Sequence, residues 1–214
     1  MTRAEPIWKL MGLLFKAHPW HGVNIGASFP EIVTTYIEIT PTDTVKYELD
    51  KISGHLKVDR PQAFSNICPT LYGLVPQTFC GEKTAELCQK RTGRADIVGD
   101  EDPLDICVLS ERPINARDLL LHAKVIGGLT MLDGGEADDK IVAVLRGDFV
   151  WGGVDDLDEL PGVLVERLRH YFATYKLVPG AEPNVLTPYG KEHAMKVITA
   201  SLEDYEDVYG GPPK

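Results

Sequence analysis

The chain has 214 residues, 43% hydrophobic and 25% charged; that balance excludes a wholly disordered chain, and the length can bury a core without disulfide staples. With 32 acidic against 22 basic residues, the formal net charge is −10. That argues against a general nucleic-acid binder, and any bound anion needs local cations or metal ions. Cys68, Cys80, Cys88 and Cys107 are too few for a disulfide framework at this length.

From the N-terminus, the spacing predicts a short amphipathic helix over residues 3–16. Its apolar run, Leu10 to Phe15, lies between Lys9 and Lys16. It is too short for a membrane span or a signal-peptide core, so a cytoplasmic protein without membrane contact is expected. HPWHG at 18–22 reads as a surface turn, because Pro19 keeps His18 and His21 from sharing a helix as a metal pair. Ile32 to Ile39 is β-branched and partly alternating, which predicts a strand. Val45 to Leu49 and His55 to Val58 predict two more, joined by a turn at Ser53-Gly54. Residues 80–99 are polar and resemble an insertion, with a short helix over Glu82 to Lys90. Cys80 and Cys88 have no CxxC pairing and no close His, so reduced thiols are expected rather than zinc. Cys68 and Cys107 sit in apolar runs and read as small core residues.

Strands are also predicted for Ile106 to Leu109, His122 to Met131 and Lys140 to Leu145, the last two linked by the acidic turn LDGGEADD. Many short strands with turns predict a barrel or sandwich. The period then changes. Leu160, Val163, Leu164, Leu168, Tyr171, Phe172 and Tyr175 fall at helical spacing. Asp155, Asp156, Asp158 and Glu159 precede them, where a helix N-terminus favours negative charge. Ala194, Val197, Ile198, Leu202 and Tyr205 predict a second amphipathic helix starting near Gly190, and the tail DVYGGPPK is expected to fray. The expected class is α+β, a single domain with residues 1–30 as an N-terminal extension.

Chemistry concentrates at Asp100-Glu101-Asp102-Pro103-Leu104-Asp105. Carboxylates this close repel unless cations sit between them, and hard divalent ions prefer such oxygen clusters. An EF-hand is excluded, since Asp105 stands where its invariant Gly belongs and no helices flank the loop. A second acidic turn carries Asp133, Glu136, Asp138 and Asp139, with Gly134 and Gly135 allowing a tight reversal. Glu38 and Glu48 lie in strands. Lys46, Arg60, Lys140 and Lys176 can supply the positive charge an anion needs. Carboxylates and cations in this combination point to metals that hold a phosphate substrate. No P-loop is present, which favours a small substrate over a nucleotide.

The stretches IEITP (37–41), VKYELDKISGHLKVDR (45–60), LYGLVPQT (71–78), GDEDPLDICVL (99–109), MLDGGEADDKIVAV (131–144) and HYFATYK (170–176) resemble family I soluble inorganic pyrophosphatases. The resemblance implies a five-stranded, OB-like β-barrel with helices packed against it, and Mg²⁺-dependent hydrolysis of pyrophosphate to two phosphates. It implies that Asp100, Asp105 and Asp138 hold a metal pair, and that Asp102 is the general base. Asp133 and Glu38 would help bind metals arriving with substrate, with Glu48 near them. Lys46, Arg60, Tyr72, Lys140, Tyr175 and Lys176 would face the phosphates. A homo-oligomer, hexamer or dimer, is implied as well. The competing reading is a barrel that binds metal or phosphate without turnover.

Overall fold

The computed structural model describes residues 16–176 and 186–210. The helix expected over 3–16 lies outside them except for Lys16, as do the last four tail residues.

Five strands close a ring: β1 (Ile32–Ile39), β4 (Leu71–Leu74), β6 (Asp105–Leu109), β9 (Lys140–Leu145) and β7 (Leu119–Asp133), which returns to pair with β1. This is the barrel-like core expected. Only the β6–β9 pairing in the ring is parallel. Alternation along these strands makes two apolar faces. Ile106, Val108, Ile141 and Ala143 join one core cluster, and Cys107, Leu109, Val142 and Val144 join another. Both faces are covered, so the strands read as near-continuous apolar runs.

Two helices cover these faces. In α2 (Gly162–Thr174), Leu168 and Phe172 pack with the second cluster, while Val163 stays exposed. In α3 (Lys191–Tyr209), Ala194, Val197 and Ile198 pack with the first. Asp207 to Tyr209, expected to fray, belong to α3. No helix among the described residues is long and apolar enough to cross a membrane.

The acidic run before α2 does not serve that helix, whose first turn holds no acidic residue. Asp156 instead accepts the Lys191 N–H at 2.9 Å, at the start of α3, and Asp155 pairs with Lys124 at 2.9 Å. Leu157–Glu159 forms a short 3₁₀ turn between them.

The helix α1 (Glu82–Thr92) starts after Gly81, which has no side chain to cap its N-terminus. Buried Asp204, on α3, accepts the backbone N–H groups of Gly81, Lys83 and Thr84, each at 3.0 Å. One carboxylate thus satisfies helix-end donors across 120 or more residues of chain. Replacing Asp204 by Ala leaves those donors without a partner. The expected loss is about 2–3 kcal/mol in urea unfolding, with the fold retained. An unchanged unfolding midpoint would contradict this capping role.

β2 (Val45–Leu49) and β3 (Leu56–Pro61) form a separate hairpin. The Leu49 N–H donates to Glu38 Oε1 at 2.6 Å, which ties the hairpin to β1. β5 (Val98–Gly99), β8 (Glu136–Ala137) and β10 (Leu186–Gly190) complete the strands. Trp20, in the expected surface turn, is instead buried at 3% exposure in a cluster with Tyr36, Leu49, Leu74 and Tyr205, and its indole N–H donates to the Thr78 carbonyl at 2.7 Å. All four cysteines are free and buried.

Candidate active site

Because β6 and β9 run parallel, with Asp105 opposite Lys140, the loops that precede them lie at the same end of the ring. One loop brings Asp100 and Asp102, the other Asp138. The β7–β8 hairpin delivers Asp133 to the same place, turning at Gly134 (φ 61°) and Gly135 (φ 99°). Side-chain-bearing residues rarely adopt those angles, so the pair of glycines sets this reversal. Together the loops frame a cavity of about 170 Å³.

The cavity is lined by Glu38 from β1, Lys46 and Glu48 from β2, and Tyr72 from β4. The acidic loops add Asp100, Asp102, Asp105, Asp133 and Asp138, and Lys140, Tyr175 and Lys176 complete the expected set. Arg60 is the exception among the expected residues. It stands beside Lys46 in the hairpin register, but its guanidinium turns to Asp59, which also accepts from Lys46 at 3.1 Å. Its Nη2 is buried without a partner among the described residues. Two charged lining residues were not anticipated as site residues, Lys51 and Glu136. Their place depends on how two hairpins fold over the cavity, which no local pattern announces.

Positive and negative groups interleave. Lys140 is 1% exposed, and its ammonium donates to both Asp105 and Asp138. Burial works against its charge, but these two carboxylates hold it well above the usual lysine range. Lys176 donates to Asp133, and Lys51 to Asp102. The Tyr72 hydroxyl donates to Asp105. Tyr175 packs its ring on Tyr171 and Phe172, with centroids 5.4 and 5.6 Å away, and still borders the cavity. Core packing and a cavity-facing position therefore coexist in one tyrosine.

The carboxylates outnumber the cations. Burial, reinforced by neighbouring Asp138, pushes Asp100 up to about 8. Burial also pushes Glu38 up to about 8, with Asp105 adding to it. In Asp138 burial is overridden by Lys140, and the carboxyl stays below its usual range. As they stand, no three His, Cys, Asp or Glu side chains among the described residues converge tightly enough to hold a metal ion. The Lys140 ammonium bridges two of them instead. The donor set nevertheless fits hard divalent cations: it is all oxygen, crowded, and holds more carboxyl groups than its lysines can keep charged.

The comparisons with known proteins agree with this architecture. The inorganic pyrophosphatase family profile matches residues 35–206. An inorganic pyrophosphatase of Chlamydia trachomatis is 49% identical over 200 residues, covering 90% of this chain and 96% of that protein. Soluble inorganic pyrophosphatase 1 of Arabidopsis thaliana is 36% identical over 191 residues, covering 89% and 81%. The crystal structure of the inorganic pyrophosphatase from Thermus thermophilus superposes with a TM-score of 0.75 at 26% identity, covering 89% of this chain and 99% of that one. A profile spanning most of the sequence, and half-identical relatives matched nearly end to end, establish that the chain belongs to the inorganic pyrophosphatase family.

Proposed function

We propose that this chain is a hydrolase that converts inorganic pyrophosphate and water into two orthophosphates, with Mg²⁺ as the divalent cofactor. The observation that carries the reading is the single cavity where five aspartates, three glutamates and four lysines of a pyrophosphatase-family fold interleave. Asp100, Asp105 and Asp138 would hold one group of cations, and Asp133 and Glu38 those that accompany substrate, with Glu48 close by. When bound, such cations neutralise the pyrophosphate and make the attacking water easier to deprotonate.

The chain's own groups do the rest. Asp102 takes the proton of the attacking water at a carboxylate oxygen. Lys46 and Lys176 face the phosphate that departs and offset its growing charge. Lys140 anchors Asp105 and Asp138, and it presents positive charge to the phosphates from the floor of the cavity. Tyr72 and Tyr175 offer hydroxyls to phosphate oxygens. Arg60 joins them by turning from Asp59, and its unpaired buried Nη2 supports that movement. The same reading carries a cytoplasmic homo-oligomer of two or six copies, and the free cysteines suit a reducing compartment.

The test is a Mg²⁺ titration of phosphate release from pyrophosphate by the wild type and by Asp105→Ala. Losing one cation ligand should raise the Mg²⁺ needed for half-maximal activity by about tenfold or more. An unchanged titration would remove Asp105 from the ligand set.

A further inference from the structure

Asp102 has a fixed backbone and a carboxylate with little to hold it. The Cys80 N–H donates to the Asp102 carbonyl at 2.8 Å, and the Asp102 N–H donates to Asp100 Oδ1 at 3.1 Å. Glu101 before it has φ 60°, a left-handed value uncommon for a side-chain-bearing residue. The loop is thus committed to one path. The carboxylate itself has a single side-chain partner among the described residues, the Lys51 ammonium.

Lys51 is itself held from behind. Asp50 Oδ1 accepts from the Ser53 N–H at 2.8 Å and the Ser53 hydroxyl at 2.7 Å. The Gly54 N–H donates to the Asp50 carbonyl at 2.8 Å, so residues 50–54 form a closed turn. That turn presses on His18: a Cβ at Gly54 would stand 2.8 Å from an imidazole carbon. His18 Nδ1 accepts the N–H groups of Trp20 and His21 at 3.2 and 3.3 Å, and Trp20 is anchored in the interior. A continuous rigid path therefore runs from a buried indole to the Lys51 backbone.

The pair has little value for stability, because both side chains are about 40% exposed, at 40% and 39%. Its consequence is geometric. Every other lysine of the cavity is engaged elsewhere: Lys140 with Asp105 and Asp138, Lys176 with Asp133, Lys46 with Asp59. None of them substitutes at Asp102. We propose that Lys51 is a positioning residue, whose ammonium aims the Asp102 carboxylate at the water it deprotonates. The inference rests on the reading of Asp102 as the base. It needs no contact between Lys51 and substrate.

A double-mutant cycle between Lys51→Met and Asp102→Asn tests it, with kcat and KM for pyrophosphate measured at saturating Mg²⁺ and thermal unfolding followed alongside. Misplacing a reacting group by about 1 Å costs on the order of 10²-fold. Lys51→Met should therefore lower kcat by about tenfold or more, leave KM within about twofold and keep the wild-type unfolding temperature. Added to Asp102→Asn it should lower kcat no further, since nothing remains to be aimed. Lys51→Arg should keep kcat within about threefold of wild type, because the charge is retained. A raised KM at unchanged kcat would make Lys51 a phosphate ligand and overturn the proposal. Equal fractional losses in both Asp102 backgrounds, or a loss in Lys51→Arg as deep as in Lys51→Met, would overturn it too. Wild-type kcat in Asp102→Asn alone would defeat the base assignment, and this inference with it.

Discussion

Asp102→Asn is expected to fold normally and to lose about 10²- to 10⁴-fold in kcat, the usual contribution of a general base. Asn matches Asp in size, and the backbone contacts of residue 102 with Cys80 do not involve the side chain. The ion pair with Lys51 is lost, but at this exposure such a pair contributes about 1 kcal/mol or less. What disappears is an acceptor that can take the proton of water. KM should change little, because a general base removes a proton rather than gripping phosphate. Steady-state phosphate release beside a circular-dichroism spectrum decides the matter. Near-wild-type kcat in a folded variant would remove Asp102 as the base.

Lys140→Met attacks stability and turnover together. The side chain is almost fully buried on β9, and its ammonium lies between Asp105 and Asp138. Met preserves the length of the chain and its contact with the Phe172 ring, which lies 5.6 Å from the ammonium. Buried Asp138 and half-buried Asp105 then face Asp100 without the ammonium between them. Breaking a buried ion pair from one side typically costs about 3–5 kcal/mol. Urea unfolding in chelator should show a loss of that order, and saturating Mg²⁺ should recover part of it, since cations bound only by the folded state stabilise it. Turnover should remain low with Mg²⁺, because bound phosphates would lack the proposed cation at the floor of the cavity. Wild-type stability in chelator would mean that the three groups are not mutually dependent.

Strands with strong local patterning were legible in the sequence. β1, β2 and β9 have the bounds their β-branched runs predict. β5 and β8 are two residues each, and β10 contains a proline and a glycine; they exist because neighbouring strands pair with them, which local pattern does not encode. β7 extends beyond both predicted ends, and its register shifts between Val125 and Gly127 where apolar patterning falters. The run Asp155 to Glu159 misled for a similar reason: Asp156 serves a helix that begins 35 residues later.

The cavity was legible because most of its carboxylates sit in two acidic stretches of sequence, and the parallel β6–β9 pairing brings those stretches together. Residues that reach it by hairpin folding were not. Lys51 sits three positions after Glu48 in a turn that reads as solvent-facing, and Glu136 reads as one more acid in an acidic turn. Arg60 is the reverse case, plain in sequence as a phosphate-binding cation yet turned in the structure toward Asp59.

The most direct test of the account is phosphate release from pyrophosphate and, separately, from ATP, with Mg²⁺ and with chelator. Fast, Mg²⁺-dependent release from pyrophosphate, far above that from ATP, is predicted. No release from folded, Mg²⁺-loaded protein, or equal release from ATP, would contradict it; the first result points to a phosphate-binding protein without turnover, and the second to a hydrolase of broader range.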